Sequence, residues 1–517
     1  MKHLRDIVAF LEFSGYLKQT HGLNTPEQWD LPVEDITDHS QHVQPGAIFV
    51  AYRGRNTDGH RFIPQAVARG AVAVVGERPP EDLERPVPFL QVREPRRVLS
   101  ALAAYLQDFP SLRIPHIIGV TGTKGKTSVI ALLRALFEQA GWTTGVLSSV
   151  YIHDGHQGQV RASAMTTPPA PTVQRLLSAM AEHKVRAALL EATSHSLDQY
   201  RVEDVFFSIG VLTNLEPEHL NYHGTYEAYR AAKQHLFHLL QRTRRLTGKP
   251  VSKVLPAEMP DVDTFLRFPT DSTLTFGFDQ GDFRVRSWQL RPNGRGMEAR
   301  VQTPDGERLL RFPTPGRFHL YNALAALAAA YAAGLSPLPE IIEFPDEELP
   351  EGRFSFVDLG QPFTVIYDYA HTPRSLALVL QSARDLVPRH GRLLTLFGLS
   401  GRRDKEKRQA CGHVLAQYAD QVVISEMDSF PEEAPESIVQ DLVQAVREAN
   451  PDIPVEGILP REEAIAALLE QAREGDVVLI VGKGHEKIII RHGRVHPWDE
   501  RAVIEAALRR RHVAPEA

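Results

Sequence analysis

The stretch Gly119-Val120-Thr121-Gly122-Thr123-Lys124-Gly125-Lys126-Thr127-Ser128 constrains the fold of this chain more than any other. An apolar run, Ile114 to Ile118, precedes it and reads as a buried strand. Val129, Leu132, Leu133, Leu136, Phe137 and Ala140 follow at helical spacing. Strand, glycine-rich turn and helix in that order make a phosphate-binding loop, because backbone N–H groups and the helix N-terminus converge on an anion. Lys126 can reach the outer phosphates, and Thr127 or Ser128 can ligate Mg²⁺. The strict pattern places a glycine where this chain has Val120. On this stretch alone, a tight glycine turn without a nucleotide stays open.

A strand–loop–helix unit of this kind sits in a parallel sheet covered by helices. The neighbouring segments agree: Ala187–Glu191 and Ile209–Thr213 read as strands and Tyr226–Leu240 as a helix. From Ser272 to Leu310 the runs Leu274–Phe278 and Phe283–Trp288 alternate, with Asn293-Gly294 and Asp305-Gly306 as turns. That texture predicts a small antiparallel insertion. An alanine-rich helix, Asn322–Ala333, ends at Gly334. Upstream, Ala47–Ala51 and Ala71–Val75 are strand-like, with a helical Phe62–Arg69 between them. Downstream, strands at Thr364–Tyr367, Leu393–Phe397, Val422–Ser425 and Val477–Val481 alternate with helices in a Rossmann-like array. The chain is 517 residues long, room for about three domains of ~150 residues. The expected boundaries are 1–110, 111–336 and 337–517.

Composition narrows the partners. A formal net charge of −6 argues against a nucleic-acid binder. The single cysteine, Cys411, excludes an internal disulfide and a multi-cysteine zinc site, which suits a reducing cytoplasm. No apolar run is long enough to span a membrane, and Glu12 and Lys18 interrupt the first amphipathic run, unlike a signal peptide.

Polar residues gather at the expected strand ends, where parallel sheets bind ligands. Glu191, followed by Thr193, Ser194 and His195, reads as a Mg²⁺ ligand or, more plainly, as a helix cap. Glu216, Glu218, His219 and His223 make a dense cluster suited to metal or phosphate. Lys233 reads by composition as a solvated helix lysine. In the third unit Asp368–Pro373, Gly401–Arg408 and Gly482–Glu486 each follow a strand, and one shared crevice is the simplest account. Arginines in the middle run could fork a carboxylate, or the run could be a charged loop.

Taken in order, these motifs resemble those of the Mur ligase family, MurE type, over nearly the whole chain. The set is Thr121-Gly122-Thr123-x-Gly125-Lys126-Thr127, Thr166-Thr167-Pro168, Glu191-x-Thr193-Ser194-His195, Thr213-Asn214-Leu215, His219-Leu220-x-Tyr222-His223-Gly224, Lys233-x-x-Leu236-Phe237, Gly316-Arg317-Phe318 with Asn322, Asp368–Pro373, Arg403-Asp404-Lys405-x-Lys407-Arg408 and Gly482–Glu486. The resemblance implies an α/β, three-domain ligase: an N-terminal UDP-sugar-binding domain, a central ATPase domain with a small β insertion, and a C-terminal Rossmann-like domain for the incoming amino acid. It implies a cytoplasmic monomer that joins UDP-N-acetylmuramoyl-L-Ala-D-Glu to a free L-amino acid. The γ-phosphate of ATP would activate the carboxylate as an acyl phosphate, which the amine attacks, giving ADP and phosphate.

Residue roles carry over by motif. Gly122, Thr123, Lys124, Gly125, Lys126, Thr127 and Ser128 would hold the phosphates and Asn322 the adenine, with Arg353 and Asp368 also binding ATP. Thr127 and Glu191 would bind one Mg²⁺; His219 and Lys233, the latter carbamylated by CO₂, would serve a second. His371 and Lys407 would line the phosphate region. Ser40, Thr166, Thr167, Thr193, Gln199 and Arg201 would contact the UDP-sugar, and Arg403, Asp428, Gly482 and Glu486 the amino acid. Domain closure would bring these halves together.

Four departures matter. Lys124 replaces an asparagine, adding a cation beside the phosphates; His39-Ser40-Gln41 replaces Asp-Ser-Arg; an Asn-Ala-Asp-Asp run is missing near Val251–Pro256. Asp428-Ser429-Phe430-Pro431 stands where ligases choosing meso-diaminopimelate carry Asp-Asn-Pro-Arg. Pro431 offers a distal carboxylate no donor, so L-lysine or L-ornithine is expected, with Asp428 facing an ammonium. The alternatives are a paralogue joining another carboxylate and amine outside peptidoglycan synthesis, and a non-catalytic nucleotide-binding regulator.

Overall fold

The computed structural model describes residues 2–55, 57–80, 87–156, 160–162, 165–291, 296–345, 351–401 and 405–513. The chain forms two compact units. The first is Met1–Arg284 with Thr303–Asp305 and Asn322–Leu338; the second is Val285–Gln302 with Gly306–Tyr321 and Pro339–Ala517.

Two larger sheets organise the first unit, beside the short pairing of Lys2–His3 with Pro32–Val33. Its N-terminal sheet orders Leu17–His21, Phe89–Val92, Ala73–Gly76, Ala47–Val50 and Asp35–Thr37, parallel except at the Leu17–His21 edge. Ala47–Val50 and Ala73–Gly76 are buried at every position, as expected of parallel strands covered on both faces. Helix Leu4–Phe13 and helix Pro95–Leu106 pack Leu4, Ile7, Leu11, Val98 and Leu102 onto that sheet.

The second sheet carries the phosphate-loop strand. Thr144–Leu147, Ala187–Glu191, His116–Thr121, Ile209–Leu212, Ser252–Pro256 and Ser272–Gly277 run parallel in that order. Tyr151–His153 and Val160–Ala162 add antiparallel at one edge. Register sets Glu191 beside Val120 and Leu212 beside Thr121, so three strands end together at the loop. Helix Tyr226–Thr247 crosses close over this strand. A Cβ on Gly119 would stand 2.8 Å from both Leu236 and Phe207.

The expected antiparallel insertion needs correction at its first strand, which belongs to the parallel run. Ser272–Gly277 pairs parallel with Ser252–Pro256 over five residues, and Phe276–Gly277 pairs parallel with Phe283–Arg284. The short helix Asp263–Leu266, with Phe265 buried, lies between Ser252–Pro256 and Ser272–Gly277 and turns the chain back as a crossover. Asn293-Gly294 lies outside the described residues. Gly306 opens strand Gly306–Phe312 at φ +105°, and Ile341–Glu343 pairs parallel with it. The alanine-rich helix starts earlier than expected, spanning Arg317–Ala332, and Gly334 follows it at φ +92°.

The second unit is built on the sheet Ser355–Val357, Thr364–Asp368, Val477–Val481, Leu393–Phe397, Gln421–Ile424 and Val455–Gly457, parallel after its first strand. Apolar cores fill both faces. A ribbon, Ile488–Arg491 with Arg494–Pro497, follows. Fully buried Arg461 donates to Glu500 at 2.5 Å and to the Val481 carbonyl at 3.0 Å, and the Trp498 indole also donates to Glu500. That knot fixes the start of the last helix, Glu500–Val513, to the strand end before Gly482. No helix among the described residues is long and apolar enough to cross a membrane.

Candidate functional site

In the first unit the loop residues are set by what surrounds them. Gly122 at φ +142° and Gly125 at φ +84° adopt backbone that side chains disfavour. A Cβ on Gly122 would run into Thr213 Oγ1, and one on Gly125 into Asn322 Oδ1, so Asn322 stands against the loop. Thr123 Oγ1 lies 2.9 Å from the Tyr229 hydroxyl. Lys126 opens helix Lys126–Gln139 and its Nζ donates to the carbonyls of Gly122 and Thr123 at 2.9 and 3.0 Å. Ser128 is buried in the first turn. Thr127 Oγ1 donates to buried Glu191 Oε1 at 2.8 Å, and the Ser149 N–H donates to the same oxygen at 2.9 Å. Two oxygen donors on a rigid strand end and helix start form a hard-ligand set that suits Mg²⁺.

Lys124 departs from expectation. Its Nζ pairs with Glu218 Oε1 at 2.8 Å, which ties the loop to the segment before His219. Asn214, which the sequence reading left out of the site, brackets the same backbone: Oδ1 accepts from Lys124 N–H at 2.9 Å, and Nδ2 donates to Lys124 O at 3.0 Å. The Thr213-Asn214-Leu215 motif held that signal.

Lys233 is not the solvated residue that composition suggests. Its side chain is buried, its Nζ donates to Gly122 O at 2.7 Å, and it lies 4.6 Å from the centre of the Tyr229 ring. Burial first, then the charge of Lys126, push its pKa well below the usual lysine value. His219 is held in the left-handed region at φ 56°, before the short helix Leu220–His223. Burial pushes its pKa down to about 4, which leaves a neutral imidazole. The rings of His195 and His219 meet edge to face at 4.8 Å. Among the described residues no three His, Cys, Asp or Glu side chains are grouped to hold a metal by themselves.

Three of the six residues expected at the UDP-sugar form one network. Thr167 Oγ1 donates to Glu191 O at 2.7 Å. Arg201 donates to Thr167 O at 2.7 Å and to Gln199 Oε1 at 2.6 Å. Thr193 caps helix Ser194–Asp198 by accepting the Ser196 N–H. Thr166 is half-buried beside Thr167. Ser40 stands apart, donating to Gln65 Oε1 at 2.6 Å. Tyr222, missed by sequence reasoning, joins the network by accepting from Gln199 at 3.0 Å and donating to Asp198 at 2.7 Å.

In the second unit the strand ends do share a crevice, lined by Tyr369, His371, Leu399, Ser400, Lys407, Met427, Asp428 and Glu486. Asp368 is buried below it; its carboxylate accepts from Phe354 and Ala370 N–H at 2.7 Å, and burial raises its pKa. Arg353 lies over the Tyr369 ring at 4.9 Å, and His371 Nδ1 is 3.0 Å from Tyr369 O. Gly482, at φ +124°, lets the backbone pass Met427, which a Cβ would meet at 2.7 Å. Asp428 and Glu486, the two acids expected at the amino acid, already share a partner within the protein. Fully buried Lys483 lies 3.0 Å from Asp428 Oδ1 and 2.5 Å from Glu486 Oε2. Arg403 lies outside the described residues.

Comparison with known proteins adds the family context. Residues 33–106 match the Mur ligase family catalytic domain, residues 120–330 the Mur ligase middle domain, and residues 352–484 the Mur ligase glutamate ligase domain. The chain is 38% identical over 474 residues to a UDP-N-acetylmuramoyl-L-alanyl-D-glutamate--2,6-diaminopimelate ligase of Geobacillus kaustophilus (strain HTA426), covering 91% of this chain and 94% of that one. It is 38% identical over 480 residues to a UDP-N-acetylmuramyl-tripeptide synthetase of Roseiflexus sp. (strain RS-1), covering 91% and 93%. A solved structure of a UDP-N-acetylmuramoyl-L-alanyl-D-glutamate--2,6-diaminopimelate ligase superposes with a TM-score of 0.64 at 26% identity, over 99% of this chain and 100% of the other.

Proposed function

The chain belongs to the Mur ligase family, and from that premise we propose that it adds the third amino acid to UDP-N-acetylmuramoyl-L-Ala-D-Glu in the cytoplasm. It is an ATP-dependent ligase of three family domains, whose boundaries we draw at 1–110, 111–336 and 337–517. The observation that carries the reading is the loop itself: Lys126 at the helix start, with Thr127 and Glu191 in contact beneath it.

Lys126 and the amides of Gly122–Ser128 hold the β- and γ-phosphates, and Asn322, set against Gly125, borders the nucleotide. Thr127 and Glu191 would hold Mg²⁺, which neutralises phosphate charge when bound. Thr166, Thr167, Thr193, Gln199 and Arg201 orient the sugar-peptide. The acceptor carboxylate attacks the γ-phosphorus and ADP leaves. The amine then attacks the acyl phosphate, loses a proton, and phosphate departs. Lys233 is carbamylated: its buried neutral amine forms an N–C bond with CO₂ and releases a proton. Its burial and its place beside Gly122 support this.

The incoming residue is L-ornithine or L-lysine. Neither Phe430 nor Pro431 offers a charge to a distal carboxylate, and two carboxylates, Asp428 and Glu486, line the crevice of the second unit. The names of the diaminopimelate-adding relatives support a second reading, meso-diaminopimelate. A panel of amino acids, assayed by ADP release with the UDP-sugar dipeptide, separates them. Preference for ornithine or lysine is expected, and preference for meso-diaminopimelate would remove the first reading. No release with any amino acid would place the activity elsewhere.

A further inference from the structure

Lys483 is the residue of the amino-acid crevice that its lining hides. It sits between Gly482 at φ +124° and Gly484 at φ +50°, directly after strand Val477–Val481. That turn drives a fully buried ammonium under the crevice floor, where it touches both acidic side chains that line it. Among the described residues each acid's side chain has one further hydrogen-bond partner. Asp428 Oδ1 accepts the Ile490 N–H at 3.0 Å, and Glu486 Oε1 accepts from the Tyr369 hydroxyl at 3.2 Å.

Two carboxylates in one crevice repel, and without a cation between them one would take up a proton. With Lys483 in place the trio carries one net negative charge. We propose that Lys483 is a positioning residue that holds Asp428 and Glu486, the two acids already placed at the ammonium of the incoming amino acid, as a singly charged fork. The inference rests on the amino-acid side of the function proposed above. It explains why Asp428 can be paired within the protein and still serve a cationic ligand: the ammonium of the substrate meets the charge that Lys483 leaves over.

The test uses the full chain with ATP and the UDP-sugar dipeptide, and whichever amino acid the unaltered protein prefers. Lys483→Met should raise the KM for that amino acid by about tenfold or more, while the KM values for ATP and dipeptide stay within about twofold. Its amino-acid KM should also become pH-dependent between roughly pH 5 and 8, as the unshielded carboxylate pair takes a proton. Lys483→Arg should recover part of the loss. If Lys483→Met does not fold, the double variant Lys483→Met with Asp428→Asn restores one net negative charge and is assayed instead. Its amino-acid KM should then respond to pH no more than that of the unaltered protein. An unchanged amino-acid KM in Lys483→Met, an equal rise in all three KM values, or a double variant with a newly pH-dependent KM would overturn the proposal. A preference of the unaltered protein for meso-diaminopimelate would instead overturn only the reading of the side chain, because the KM pattern is read on the preferred substrate either way.

Discussion

Lys233 shows what a single residue can conceal. Its neighbours Ala231, Ala232, Gln234 and His235 describe an ordinary helix surface. Only the packing of helix Tyr226–Thr247 against the phosphate-loop strand buries the amine, and no local pattern reports that face. Lys233→Ala should lower turnover by roughly 10²-fold or more, with partial recovery when a short carboxylic acid is added. Full turnover without the acid would exclude the carbamate. His319 makes a second prediction. It is fully buried among Phe312, Phe318 and Phe354, and neither ring nitrogen has a hydrogen-bond partner among the described residues. Burial pushes its pKa down to about 3. Between that value and the unfolded value near 6.5 the unfolded chain binds more protons, so stability falls as pH falls. His319→Phe should flatten this limb: from pH 7 to 5 it should lose about 2 kcal/mol less than the unaltered protein, measured by urea unfolding. An identical acid limb would refute the assignment.

At the scale of elements, the sequence was most legible where a strand is apolar and a ligand turn follows it. Ala187–Glu191, Leu393–Phe397 and Val477–Val481 form as expected, with Glu191 at a strand end and Gly482 just beyond one. Leu274–Phe278 misled because alternation reports one covered face, and a parallel strand can have that too. The sense of pairing came from the intervening crossover, which is a tertiary fact. In the same way Asp428 was legible as an acid at the crevice, but its partner Lys483 was hidden in a glycine-rich turn. The phosphate loop gives the sharpest test at this scale. Gly125→Ala places a Cβ at φ +84° and against Asn322. It should lower stability by about 1–3 kcal/mol and weaken ATP binding by calorimetry; wild-type affinity would show that the loop is not the nucleotide site.

Across the first unit, one carboxylate joins helices that pack on its two larger sheets. Glu203 pairs with Arg97 of helix Pro95–Leu106 at 3.2 Å and with His235 at 2.5 Å, while Asp204 pairs with Arg242 at 2.6 Å. Glu203→Ala takes from Arg97 and His235 the carboxylate they share and should reduce stability by about 1–3 kcal/mol, read as a lower denaturation midpoint; an unchanged midpoint would show the contacts to be idle. The second unit is closed by the knot of Arg461, Glu500 and Trp498. The last helix supplies the acid that neutralises a guanidinium deep in the core, and that guanidinium also grips the strand end leading to Gly482. A proteolytic nick between Asp499 and Glu500 would therefore loosen the helix that brings Arg461 its carboxylate, and disturb the crevice beyond Gly482 without cutting a residue that lines it.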